Sequence, residues 1–310
     1  MRERLSRKGE RSLPGIVLGG LSLVFLLTAC TGAGKDVVPL RVGYMICNSL
    51  EETRERFAPL TAYLAEQLGR EVRPVYLDTV DFEEAVKDGE FDIIHTNSLL
   101  YVWFNKQYDF RILSGERRGR NGSFSAGAIV VHADSDIRSL ADLKGKRFIF
   151  GPQLAPTAFL SQYHLLLEGG VDPETDLGYY AIPWGSFKHE KVLYGVWFGK
   201  YDAGAAPLLD LELSEEERKI PLEDLRIIAE GPLIPYCVFS APPSLPAETF
   251  DKVQSVLFGL TEEATAAVDG EALKVLKGAG VDGFEPLQES DFDQLRAMAR
   301  RAKLPPYAEY

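Results

Sequence analysis

Apolar and polar positions along the chain follow two alternating periods, and the switches between them divide it into short strands and amphipathic helices. Residues 40–46, Leu-Arg-Val-Gly-Tyr-Met-Ile, alternate and are mostly apolar, which predicts a buried strand. Phe57, Leu60, Leu64 and Leu68 then recur at helical spacing, and Gly69 closes a helix predicted over 57–68. A second strand at 72–77 carries Pro74, which assigns it to a sheet edge because proline gives the ladder no donor. A short helix at 81–87, acidic at its start, precedes a third buried strand at 91–95 and a helix at 99–106. Strands at 110–113 and 123–131 flank a basic turn, Arg117-Arg118-Gly119-Arg120-Asn121-Gly122, which reads as a solvated hairpin tip.

The alternation starts afresh at Ser139. Residues 139–146 read as a single helical turn closed by Gly145, and Arg147-Phe148-Ile149-Phe150-Gly151 as a buried parallel strand. After the loop Pro152-Gln153-Leu154-Ala155, Pro156 and Thr157 open a helix that runs to Gly169-Gly170. The first N–H groups of such a helix have no partners, so an anion is their natural guest. Strands at 179–182, 201–206 and 225–229 follow, with helices at 188–198 and 212–219, the last a charged surface helix. The chain is expected to cross into a second lobe along 125–131 and to return along 236–240. Helices at 246–268, 270–278 and 290–302 are then expected to pack back on the first lobe. Lobe 1 is thus 40–128 plus 236–310, and lobe 2 is 129–235.

The amino end breaks the pattern. Residues 1–11 carry five basic side chains beside Glu3 and Glu10, an apolar run fills 13–27, and Leu27-Thr28-Ala29-Cys30 ends it. That is the form of a bacterial lipoprotein export signal, with residues 1–29 removed, a lipid on the Cys30 thiol and residues 30–39 as a tether. The run is short for an uncleaved anchor in a bilayer core of ~30 Å. The protein is therefore expected to be exported, periplasmic or at the cell surface, and held to a membrane through Cys30. Cleavage takes five basic and two acidic side chains from totals of 34 and 46, leaving a net charge of −15. Such a balance excludes nucleic acid as a partner, since phosphates require clustered Lys and Arg.

The remainder, 45% hydrophobic and 26% charged, is ordinary for a soluble globular chain, and 310 residues exceed the roughly 250 that one core usually organises. Cys47 and Cys237, in an oxidising compartment, either pair as a disulfide or sit as two small buried side chains. No catalytic or metal motif is present: G-x-S-x-G, G-x-x-x-x-G-K-[ST] and H-E-x-x-H are all missing, and the four histidines are scattered. No cofactor and no enzymatic step are expected.

Candidate ligand-binding residues fall where loops follow strands, because open α/β sheets collect ligands at the carboxyl ends of their strands. Asn48 and Ser49 follow the first strand, either as ligand groups or as a helix cap. His95, Thr96, Asn97 and Ser98 follow the third, with His95 either lining a cleft or packed inside. Gln153 and Thr157 stand at the equivalent place in the second lobe, and Trp184, His189 and Glu190 after its next strand.

The segments "SLADLKGKRFIFG", the helix ending in Gly169-Gly170-Val171-Asp172-Pro173, and "FKHEKVLYGVWFGKYDAGA" resemble the phosphate, phosphite and phosphonate solute-binding proteins of ABC importers, from about Leu40 onward. The resemblance implies an α/β, two-lobed type II periplasmic binding protein fold, each lobe a mostly parallel sheet flanked by helices, joined by two hinge strands. It implies a monomer that closes on a small anion and presents it to an ABC permease. The alternatives are a sensor that hands the closed form to a histidine kinase and a binder of a non-phosphorus ligand; an enzyme on the same fold ranks below these.

The family's Ser-Thr-Ser type loop is not retained, since Gln153-Leu154-Ala155-Pro156-Thr157 keeps one hydroxyl. His189-Glu190 does match, and in aminophosphonate binders an acid there meets the ligand's ammonium. The polar group after the next strand is replaced by Ala205-Ala206-Pro207, with Asp210 the nearest acid. Trp184, Tyr44, Tyr101 and Trp103 near these loops also admit an apolar or ring-bearing ligand.

Overall fold

The computed structural model describes residues 38–212 and 220–308. The leader, Cys30 and most of the charged helix expected at 212–219 lie outside those residues. No helix among the described residues is long and apolar enough to cross a membrane.

The chain opens with β1 (Leu40–Met45), α1 (Leu50–Leu68), β2 (Val72–Leu77), α2 (Phe82–Lys87), β3 (Ile93–Asn97), α3 (Ser98–Tyr108), β4 (Arg111–Arg117) and β5 (Phe124–Ser125). It continues through β6 (Gly127–His132), β7 (Arg147–Ile149), α4 (Ser161–Glu168), β8 (Tyr179–Ala181), α5 (Lys188–Trp197), β9 (Ala203–Pro207), α6 (Leu208–Glu212) and β10 (Leu225–Glu230). It returns through β11 (Ile234–Pro235), β12 (Cys237–Ala241), α7 (Ala247–Phe258), β13 (Thr265–Val268), β14 (Glu271–Lys274), α8 (Val275–Ala279), β15 (Gly283–Glu285) and α9 (Asp293–Arg301).

Two mixed sheets result. The first has the order β15-β4-β12-β3-β1-β2, and four of its six strands run one way, with β12 and β15 reversed. The second has the order β10-β6-β9-β7-β8, with only β6 reversed. Pro74 does stand on an edge strand, as its missing donor requires. Between the sheets β5 and β11 pair antiparallel, Ile234 opposite Ser125, so the two crossings of the chain are hydrogen-bonded to each other.

Apolar side chains on α1, α7 and α8 cover one face of the first sheet, and α2 and α3 cover the other. A larger core joins the second sheet to Tyr101 of α3 and to Phe292, Leu295 and Met298 at the carboxyl end. The last helix thus packs on α3, α4 and β11, across the crossing, and not only on the first lobe.

Three element expectations change. Helix α1 begins seven residues early, at Leu50, because Ser49 caps it: the Ser49 hydroxyl accepts from the Glu52 N–H at 3.1 Å. β4 and the 123–131 stretch form no hairpin, since β4 runs on to Arg117 between β12 and β15. The helices expected at 246–268 and 270–278 are interrupted by a hairpin, β13 and β14, around Asp269-Gly270. Both turn residues have positive φ, 52° and 86°, which is the two-residue turn that fits strand twist.

Candidate functional site

A cavity of about 840 Å³ lies between the two sheets and the β5/β11 crossing. Its lobe 1 wall is built by the last residue of β1, the loop after it and the first turns of α1: Met45, Cys47, Asn48, Glu52, Glu55 and Arg56. Asn97 and Arg118 join them from the ends of β3 and β4, and Tyr236 and Cys237 from the crossing. Lobe 2 supplies Thr157, Phe187, His189, Glu190, Tyr194 and Asp210.

The Thr157 turn is placed by close backbone contact. Gly151 donates its N–H to the Ala158 carbonyl at 2.7 Å, and a Cβ on Gly151 would stand 2.5 Å from that of Ala158. Only glycine lets the strand end come this near the turn, which puts Pro156 and Thr157 on the cavity wall.

Asn97 has a double duty. Its Oδ1 accepts from the N–H groups of Leu99 and Leu100, both at 3.0 Å, capping α3, while its Nδ2 donates to the Leu154 carbonyl of the other lobe at 3.1 Å. Two further contacts span the cavity mouth: the Phe187 N–H donates to the Asn48 carbonyl at 3.1 Å, and Lys188 Nζ stands 3.4 Å from Asp78. Phe187 does so at φ 54°, a left-handed conformation that costs a side chain of this size.

Below the floor lies a buried charge chain. Glu116 accepts from Arg56 and is 2.7 Å from His95 Nε2, with His95 and Glu116 both essentially inaccessible. Burial pushes the Glu116 carboxyl up, but the Arg56 guanidinium and the His95 hydrogen bond outweigh it and hold the carboxyl at about 2. Arg56 therefore reaches the cavity already paired. Arg118 joins no ion pair through its side chain among the described residues, and its positive charge acts on Cys47, Tyr236, Cys237 and Glu116 alike.

Of the residues singled out from sequence, Asn48, Asn97, Thr157, His189 and Glu190 line the cavity. The other six do not. Ser49 is the α1 cap, and Thr96 is buried within β3. Ser98 is buried and its hydroxyl donates to the Pro235 carbonyl at 2.5 Å, so it ties α3 to the crossing and leaves the wall to Asn97. His95 faces the core between Phe57 and Phe239. Gln153 is exposed, and Trp184 is 87% exposed, outside the cavity.

Sequence reasoning passed over Arg56, Arg118, Glu52 and Glu55. The Ser49-x-x-Glu52 spacing, which announces a helix start, was the signal for the α1 residues. Nothing local distinguished Arg118 from its exposed neighbours.

Cys47 and Cys237 are both free. Cys47 stands two residues past the end of β1 and Cys237 opens β12, with β3 between those two strands.

A family model described as "ABC transporter, phosphonate, periplasmic substrate-binding protein" matches residues 42–292. A tetrathionate sensor histidine kinase of Salmonella typhimurium is 26% identical over 80% of this chain, which spans only 43% of that protein. Among solved structures, a Xanthomonas citri protein bound to ATP superposes with TM-score 0.70 at 18% identity, over 88% of this chain and 100% of that one. PhnD1 from Prochlorococcus marinus, in complex with methylphosphonate, does so with TM-score 0.69 at 18% identity, over 85% and 97%.

Proposed function

Because the chain belongs to the family of periplasmic substrate-binding proteins of phosphonate ABC transporters, we propose that it is a receptor that captures a small oxyanion of the phosphate, phosphite or phosphonate class by hinge closure and delivers it to an ABC permease. The observation that carries this reading is the cavity between the two sheets, where Arg118 and Thr157 face each other's lobes across a pair of crossing strands. The family is one of transport proteins that bind and release, and the reading needs no covalent step.

Charge-assisted hydrogen bonds contribute about 1.5–3 kcal/mol each, and micromolar affinity needs about 8 kcal/mol. The Arg118 guanidinium with the hydroxyl and N–H of Thr157 is sufficient for that once closure excludes water. Glu190 and Asp210, with Glu52 and Glu55 opposite, suit a ligand that also bears an ammonium group. The lobes turn about the β5/β11 ladder, and ligand that touches both shifts the population toward closure by its differential affinity.

In this reading Cys30 carries the lipid and residues 30–39 the tether. A mass spectrum of the mature protein, with a diacylglyceryl adduct at Cys30 or without one, decides it. The ligand assignment is tested by a thermal-shift screen over phosphate, phosphite, methylphosphonate, aminoethylphosphonate, sulfate and small carboxylates. A screen in which no phosphorus oxyanion raises Tm removes that class.

A second reading is favoured by the kinase relative: the closed form is presented to a sensor histidine kinase and not to a permease. Loss of ligand uptake in a deletion strain supports transport. Unchanged uptake with loss of a ligand-induced transcript supports sensing.

A further inference from the structure

Four residues in the described part of the chain contain sulfur: Met45, Cys47, Cys237 and Met298. Three of them line the cavity described above, and all three come from its lobe 1 side, as do Asn97 and Arg118. We propose that this cleft selects a tetrahedral oxyanion in which a sulfur atom replaces one oxygen, such as a thiosulfate or a thiophosphate, with its oxygens toward Arg118 and Thr157 and its sulfur against Cys47, Cys237 and Met45. The inference rests on the reading of this cleft as an oxyanion site and extends it to sulfur-bearing ions.

Hydroxyls are few on this wall, and the carboxylates Glu52, Glu55, Glu190 and Asp210 share it with Arg118. Among the lining residues only Thr157, Tyr194 and Tyr236 carry hydroxyls. A thiol is a weak donor, so an anionic oxygen pressed against the floor would lose its hydration without replacement. A terminal sulfur is larger, more polarisable and less strongly hydrated, and loses less on the same move. Burial pushes both thiols up, Cys237 well above its ordinary range, so the floor presents neutral S–H groups and no thiolate that would repel an anion. Cys47 and Cys237 are both free, so no bridge takes up either sulfur. Arg118, whose charge acts on both thiols, supplies the attraction from above this floor.

The test is calorimetric titration of the full chain with two isosteric pairs, thiosulfate against sulfate and thiophosphate against phosphate, with methylphosphonate as a fifth ion. The expected result is a preference of about tenfold or more for the sulfur-bearing member of at least one pair, and the pair that shows it identifies the central atom. Cys47→Ser and Cys237→Ser should each reduce that preference to about twofold, read as the ratio of the two affinities within a pair. Equal affinities within both pairs, or a preference that survives both substitutions, overturns the inference while any bound oxygen-only ion upholds the receptor. If none of the five ions binds, both readings fall. The comparison within the parent protein needs no variant to fold.

Discussion

Glu116 keeps its charge in a place where water cannot reach it, and two partners make that tolerable. Its folded value of about 2 lies below the ordinary 4.5, so the stability it contributes is fully present above pH 4.5 and is lost as pH falls toward 2. Acid titration of the unfolding free energy should therefore show a descending limb between those values that Glu116→Gln abolishes. The same substitution at neutral pH leaves Arg56 buried without its counter-charge and should cost about 3–5 kcal/mol by denaturant unfolding. Thr157→Ala removes a donor from the cavity wall, so ligand affinity should fall about tenfold with the Tm of the unliganded protein unchanged. Ser98→Ala, which breaks the bond to the Pro235 carbonyl, should behave in the opposite way: about 1 kcal/mol of stability is lost, and no ligand contact with it. In sequence these two hydroxyls looked alike, each at a strand-to-helix junction. Which one faces the cavity depends on Asn97 having taken the cap and the wall beside Ser98, and no spacing rule registers that.

Among the elements, the strands and helices with strong periodicity were legible because one face of each is buried: β1, β2, β7, α5 and the 140–143 turn all fall within a few residues of their expected places. The 265–274 hairpin was not. Its alanines, with Glu271, Leu273 and Lys274, favour a helix, but the Asp269-Gly270 pair accepts left-handed backbone at both positions, and β13 finds α1 to cover it. Gly270→Ala should therefore destabilise the protein by about 1–2 kcal/mol, as read from the denaturant midpoint with an unchanged slope. Helix α1 was legible only in its second half. Its first half carries Glu52, Glu55 and Arg56 on a face turned to the cavity, so the apolar repeat that marks a helix in sequence is missing there.

At the scale of the molecule, closure is held by few contacts. Lys188 and Asp78 meet at 3.4 Å across the mouth, with Asp78 42% exposed, so the pair is worth less than about 1 kcal/mol. Asp78→Asn should weaken ligand binding by no more than about fivefold and enlarge the radius of gyration of the unliganded protein in X-ray scattering, with Tm unchanged. A radius unaffected by the substitution would assign the pair no part in closure. The carboxyl-terminal helix matters more, since Phe292, Leu295 and Met298 join one core that includes residues from both sides of the crossing.

What the sequence determined by itself was the alternation of strands and helices, its restart at Ser139, the absence of catalytic motifs and the family whose pattern it follows. Those features are local or sequential, written in periodicity, glycine and proline placement and the order of segments. The tertiary structure alone decided which side chains share the cavity. Cys47 and Arg56, Arg118, and Cys237 come from three separate stretches, and they meet because the sheet order interleaves β12 and β3 between β4 and β1. Strand order is set by long-range pairing, and long-range pairing leaves no mark on the spacing of residues within any one segment.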